Sequence, residues 1–377
     1  MKNRLICAGA LFLSLLACQG TVDPDNTDGG PDDKNPVTDS TELAGTITLY
    51  ASRSIIEADN EYESELTVLL MDKSGVEHDV TSEVEIYCEG SDTPITESSF
   101  RTSEPGEYHF YAMRGFDISN TVTVRAVKGV PALPEDPNVK NMGFHHRMLL
   151  LQHTGNECPN CPALMTTLKT LSEDEDYSPA YHHVASHSYN SSDAAYSSSA
   201  ASLSKELDVH YYPWLTYNLS RDNGYYLDDI RNAIDGYHKE IADAAICASA
   251  ALVGDDIYVN VGIKSRVDQK YRVAVWLLED NIRSTQSGAT ASWQHTHDNC
   301  LRAMGGASKN EAIYGRSIGK VGARETYDFI ASIDSVLPAW KIENCKIMVI
   351  AVSASGNYEL VNCTVCPVGG SVTYEYK

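Results

Sequence analysis

Two hydrophobic rhythms alternate along the chain, and the changes between them mark its parts. From 44 to 129 the period is two: Ile47 and Leu49 alternate with Thr46 and Thr48, Leu66, Val68 and Leu70 share one face, and Tyr108 and Phe110 follow the Glu104-Pro105-Gly106 turn. Short alternating runs bounded by turn residues predict strands, and their regular spacing predicts an immunoglobulin-like β-sandwich. A proline-punctuated linker at 130–140 follows. From 141 to 244 the rhythm is mixed. Met148-Leu149-Leu150-Leu151 is a continuous apolar run, the pattern of a strand buried on both faces. Leu164, Met165, Leu168 and Leu171 recur at helical spacing, as do Leu227, Ile230, Ile234, Tyr237 and Ile241. Strands are expected near 181–185 and from Pro213 through Tyr217. From 245 to 377 strand patterns return, with Gly254-Asp255-Asp256 a hairpin signal between two of them. A second β-sandwich is expected there.

The amino terminus changes the picture of where the chain works. Lys2 and Arg4 precede an apolar stretch, and Leu15-Leu16-Ala17-Cys18 closes it. That is the order of a secretory signal, here 1–17, and its last four residues resemble a bacterial lipobox. The resemblance implies cleavage before Cys18, lipidation of Cys18 and anchoring in a membrane. Gln19, where an Asp favours inner-membrane retention, points to the outer membrane. The apolar stretch is too short to remain as a spanning helix of ~20 residues.

The formal net charge is −23, and loss of Lys2 and Arg4 makes it two units more negative. Such a surface repels phosphate backbones, so nucleic acid is not an expected partner. Asp23, Asp25, Asp28, Asp32, Asp33 and Asp39 crowd the 18–43 segment, which has few apolar residues and reads as a disordered acidic tether. An acidic run just behind a lipidated cysteine also resembles the surface-export signal of Bacteroidetes lipoproteins; a plain spacer is the other reading.

The strongest chemical signal is Cys158-Pro159-Asn160-Cys161, between the 148–151 apolar run and the helical pattern from Ala163. Two cysteines at the start of a helix that follows a strand make a thioredoxin-like redox arrangement. The helix dipole and free N–H groups stabilise a thiolate, the species that attacks disulfides. Cys158 is the expected exposed nucleophile and Cys161 the resolving thiol. Pro213, opening an aromatic strand after a helix, stands where such folds carry a cis-proline that positions substrate. The fold class expected is therefore α+β and multidomain: an Ig-like β-sandwich, a thioredoxin-like α/β domain over 141–244 and a C-terminal β-sandwich over 245–377. Glu157 beside Cys158 opposes the dipole, so the couple is expected near the thioredoxin value of about −270 mV rather than the −120 mV of a strong oxidant.

Other constellations are weaker. Cys363-Thr364-Val365-Cys366 ends a strand pattern and has no helix dipole behind it, so a structural disulfide or core thiols are expected. The two Cys-x-x-Cys pairs are far apart in the chain, which argues against a shared zinc site. His182, His183 and His187, and the pair His295 and His297, have no carboxylate or cysteine at ligand spacing, and no metal or other cofactor is expected. His153 is near enough in sequence to support a Cys158 thiolate. Cys88 is expected as a buried thiol.

Thr154-Gly155, Cys158, Asn160-Cys161-Pro162, Tyr212-Pro213, Glu279-Asp280-Asn281-Ile282, His297 and Leu301-Arg302 together resemble the outer membrane protein 28 family of Bacteroidetes lipoproteins over about 141–377. The resemblance implies a thioredoxin-like domain joined to a β-rich domain on an envelope lipoprotein, with the N-terminal Ig-like module added. Gln152 and Asn299 depart from it, standing where an acidic residue and a second His are common. Two functions stay open. One is a surface binding or structural module with an unidentified protein or glycan ligand. The other is a thiol-disulfide oxidoreductase using Cys158, Cys161 and Pro213. Glu157 in place of the usual Trp, and Pro162 in the first turn, weaken the second.

Overall fold

The strand Met148–Thr154 is buried at every position, as its continuous apolar run requires, and it organises the middle of the molecule. In this computed structural model, which describes residues 45–377, it pairs in parallel with Tyr181–His187 and antiparallel with Trp214–Tyr217. Its two faces bury different cores. Met148 and Leu150 pack against Leu164, Leu168 and Leu171 of helix α1 (Cys161–Ser172) and Ile230 and Ile234 of helix α3 (Leu227–His238). Leu149 and Leu151 face Ala200 and Leu203 of helix α2 (Ser198–Glu206), together with Trp276 and Met348 from farther along the chain. The signal segment, Cys18 and the acidic tether lie outside the described residues.

The pairing does not stop at 244. Tyr181–His187 also pairs in parallel with Cys300–Met304, through Ala185 and Cys300. Cys300–Met304 pairs with Gln269–Glu279, which pairs with Cys345–Ser353, and that strand pairs with Leu360–Pro367. One eight-stranded sheet therefore carries both the strands around the dithiol and those of the C-terminal region. A four-stranded sheet (Thr326–Ile333, Asp256–Ser265, Ala244–Val253, Gly370–Val372) covers its far part. Ile246, Val259 and Val261 there meet Val273, Val275, Ile347 and Val349. Residues 45–127 form two further sheets that share a core of Leu49, Ile56, Leu66, Val68, Phe110 and Val124.

This corrects the expected fold class. Among the described residues the protein is mostly β, 42% strand against 16% helix with four α-helices, rather than an α+β assembly containing an α/β domain. The physical reason is pairing at long range. Hydrophobic periodicity reports which residues form a strand but not which strand lies beside it. The helices lie on a sheet that is largely built by residues beyond 244. The described residues, 45–377, belong to one compact unit. The 130–140 segment is fastened down: the buried Lys264 ammonium donates to Asp136 at 2.8 Å, to the Val139 carbonyl at 2.8 Å and to the Tyr376 hydroxyl at 2.8 Å. Helix α3 ends at His238, so Ile241 falls outside it and is exposed, contrary to the expected stripe.

Candidate functional site

Strand register brings the sequence-predicted residues to one edge. His153 pairs with Trp214, which sets Pro213 level with Thr154, four residues before Cys158. The Tyr212–Pro213 peptide is cis. Cys158 and Cys161 form a disulfide with their Cα atoms 5.4 Å apart. Cys161 is the first residue of α1, Asn160 occupies the N-cap position without a side-chain cap, and Pro162 sits in the first turn, where a missing N–H costs nothing.

The expected exposure of Cys158 is overturned. Cys158 is 1% exposed and Cys161 0%. A loop around residues 284–294, which sequence reasoning did not connect to the dithiol, is bonded onto this segment and forms part of its cover. Gln286 Nε2 donates to the carbonyls of Cys158 at 2.9 Å and Gly155 at 3.3 Å. Ser287 N–H donates to the Asn156 carbonyl at 2.6 Å, and Asn156 Nδ2 donates to Ser284 Oγ at 2.7 Å. Gln294 Nε2 reaches the Pro162 carbonyl at 3.0 Å. Gly288 has φ +70°, and a Cβ there would collide with the Pro159 carbonyl. Beside this cover an open groove of about 590 Å³ is lined by Pro159, Asn160, Tyr212, Pro213, Tyr225 and Gly288, among others.

Two expected electrostatic influences on Cys158 are redirected. His153 is fully buried, and burial pushes its pKa down to about 3. Its ring nitrogens bond Ser204 Oγ at 2.8 Å and Thr216 Oγ1 at 3.1 Å, so it is a neutral core histidine. Glu157 is exposed and accepts from Ser192 Oγ at 2.9 Å, in a position where solvent screens its charge.

The remaining cysteines among the described residues are free. Cys363 and Cys366 are buried thiols in separate cores, since residues three apart on a strand point to opposite faces. Cys88 is half-buried rather than buried. Among the described residues, no group of three or more His, Cys, Asp or Glu is arranged to hold a metal ion.

The histidine readings change more. His183, His187 and His297 line one cleft of about 550 Å³ on the α1 side of the sheet. The His187 and His297 rings meet edge to face at 4.8 Å. Asp193, six residues after His187 and overlooked in the Ser/Ala-rich stretch, accepts from His187 Nδ1 at 2.7 Å and from the Asn156 N–H at 2.8 Å. Burial opposes the charge on Asp193, but these hydrogen bonds outweigh it and hold its pKa down at about 2. Burial pushes His183 and His297 down to about 4.

No family model matches the chain. No curated protein matches it either. Among solved structures, HBP35 of Porphyromonas gingivalis aligns with a TM-score of 0.50 at 12% identity, covering 61% of this chain and 77% of that one. The Yersinia pseudotuberculosis adhesin InvE aligns at 0.17 and 9% identity, covering 85% of this chain and 58% of that one. Domains 4–9 of the surface layer protein SbsC align at 0.18 and 9% identity, covering 86% and 50%. The last two scores are too low for a shared fold. The first shows a likeness of fold to HBP35, and the outer membrane protein 28 resemblance has no family match behind it.

Proposed function

We propose that the chain is a binding or structural module of the bacterial cell surface, anchored through a lipidated Cys18 in the outer membrane, in which the Cys158–Cys161 disulfide is structural. The observation that carries this is the burial of both cysteines in a segment whose backbone the Gln286–Gly288 loop is bonded to. A thiol–disulfide exchange step needs an incoming thiolate in contact with a disulfide sulfur. The anchoring half of the reading rests on Leu15-Leu16-Ala17-Cys18 and the acidic segment behind it. Cys18→Ser should move the protein from the membrane fraction to the soluble periplasmic fraction. Unchanged membrane association would sink the anchor.

A second reading keeps its own support. An open groove runs beside Asn160, Pro213 and Gly288, so a lifted loop would present the disulfide to a substrate lying there. Once an external dithiol had reduced the Cys158–Cys161 bond and been oxidised to its own disulfide, the Cys158 thiolate would attack a substrate disulfide, Cys161 would resolve the mixed disulfide and release the substrate as thiols, and Pro213 would position the substrate. Turnover in a protein-disulfide reduction assay separates the two. The structural reading expects none above the level of a Cys158→Ser/Cys161→Ser variant.

A further inference from the structure

The cleft along α1 holds polar groups that the dithiol does not explain. Two of its lining side chains are more than nine-tenths buried and have a polar atom without a partner: the Gln152 amide nitrogen and the Thr154 hydroxyl. Leaving such a group unpaired costs about 1–3 kcal/mol, so each marks a place where a partner is due. Gln152 is fixed in orientation, because its Oε1 accepts from His183 Nε2 at 3.1 Å while His183 Nδ1 accepts from Asn299 Nδ2 at 3.2 Å. Its NH₂ therefore remains as a donor. His187 is held by Asp193 through Nδ1, which leaves Nε2 for a ligand.

The charge balance narrows the ligand. His183 and His297 are uncharged near neutral pH because burial lowers both. The Lys169 ammonium at the edge is occupied by Glu173 at 2.5 Å and lies over the Trp293 ring. His187 is paired with Asp193, and Asp298 adds a further carboxylate, so among the described residues lining the cleft no cationic side chain lacks a carboxylate partner for an anion to use. No metal-holding group is present among the described residues. An apolar ligand would leave Gln152 and Thr154 without partners. What fits is a neutral molecule whose groups both donate and accept, with one apolar face for Met165, Leu168 and Trp293.

We propose that this cleft binds an uncharged pyranose sugar, with ring hydroxyls meeting Gln152, Thr154 and His187 and the C–H face lying against Met165 and Trp293. Its volume, about 550 Å³, lies in the usual range for small-molecule sites. The proposal deepens the binding-module reading and rests on it. The state of the disulfide does not enter, so the two fail separately.

The test is saturation-transfer NMR and tryptophan fluorescence on the full chain with D-glucose, D-galactose, D-mannose and N-acetyl-D-glucosamine, and with D-glucuronate and inorganic phosphate as charged arms. At least one neutral sugar should bind saturably in the millimolar range, below about 20 mM. Thr154→Val, which keeps the shape of the side chain, should weaken it about five-fold or more. Trp293→Ala should weaken it similarly, with circular dichroism confirming that both variants fold. Absence of saturable binding by all four neutral sugars, equal affinity in the variants, or preference for glucuronate or phosphate would each overturn the proposal. Resistance of Cys158–Cys161 to reduction, measured on the same samples, decides the structural-disulfide reading independently.

Discussion

At the scale of single residues, Gly288 is the hinge of the account. Its positive φ and its closeness to the Pro159 carbonyl leave no room for a side chain. Gly288→Val should displace the loop, lower stability by roughly 1–3 kcal/mol and speed reduction of the disulfide. If the variant reduces no faster than the parent, the loop is not what protects the sulfurs. His153 gives a second residue-level prediction. Its folded pKa, about 3, is below the ordinary value of 6.5, so the unfolded chain binds the proton first. The stability it contributes is complete above pH 6.5 and falls as the pH drops from there toward 3. Between pH 7 and pH 5 the loss should be about 2 kcal/mol. Denaturant titrations of the parent and His153→Gln should show a shallower acid slope in the variant, and equal slopes would refute the assignment. Neither residue's role was legible in the chain. No motif singles out Gly288, and His153, five residues from Cys158 in sequence, belongs to a core with Ser204 and Thr216.

Among the elements, local signals translated directly wherever the deciding physics was local. The apolar run at 148–151 is a strand buried on both faces, and the Leu164, Leu168 and Leu171 stripe is the buried face of α1. Gly254 and Asp255 turn between Val253 and Asp256, which pair. Cys158 and Cys161 are joined, and the Tyr212–Pro213 step lies beside them through the His153–Trp214 register. What the pattern could not supply was the cover. Gln286 and Gln294 sit over a hundred residues from Cys158 and Pro162, in a polar stretch with no periodicity to read. Asp193 was hidden in the same way among small polar residues, although it organises both His187 and the Asn156 backbone.

For the whole molecule, the shared sheet is the decisive fact. Tyr181–His187 leans on Cys300–Met304, and Leu149 and Leu151 bury against Trp276 and Met348. A fragment of residues 141–244 would expose that face to water. It should therefore lack a cooperative thermal transition, while the full chain unfolds with its 141–244 and 245–377 regions together. A cooperatively folded fragment would mean that the C-terminal strands are dispensable to it. The expectation of a self-contained α/β domain failed for this reason, since strand partners from beyond residue 269 are invisible to a local pattern.

The central claim, that the Cys158–Cys161 bond is structural, is tested most directly by its reduction potential. The native full chain would be equilibrated in defined thiol buffers, alkylated and analysed by mass spectrometry. Burial of both cysteines in the segment that the Gln286–Gly288 loop is bonded to predicts a couple below about −300 mV, in the range of structural disulfides and lower than the thioredoxin-like value that the helix position and Glu157 suggest on their own. Ready reduction at about −270 mV or above, with Cys158 alkylated in the folded protein, would contradict the account and favour the oxidoreductase.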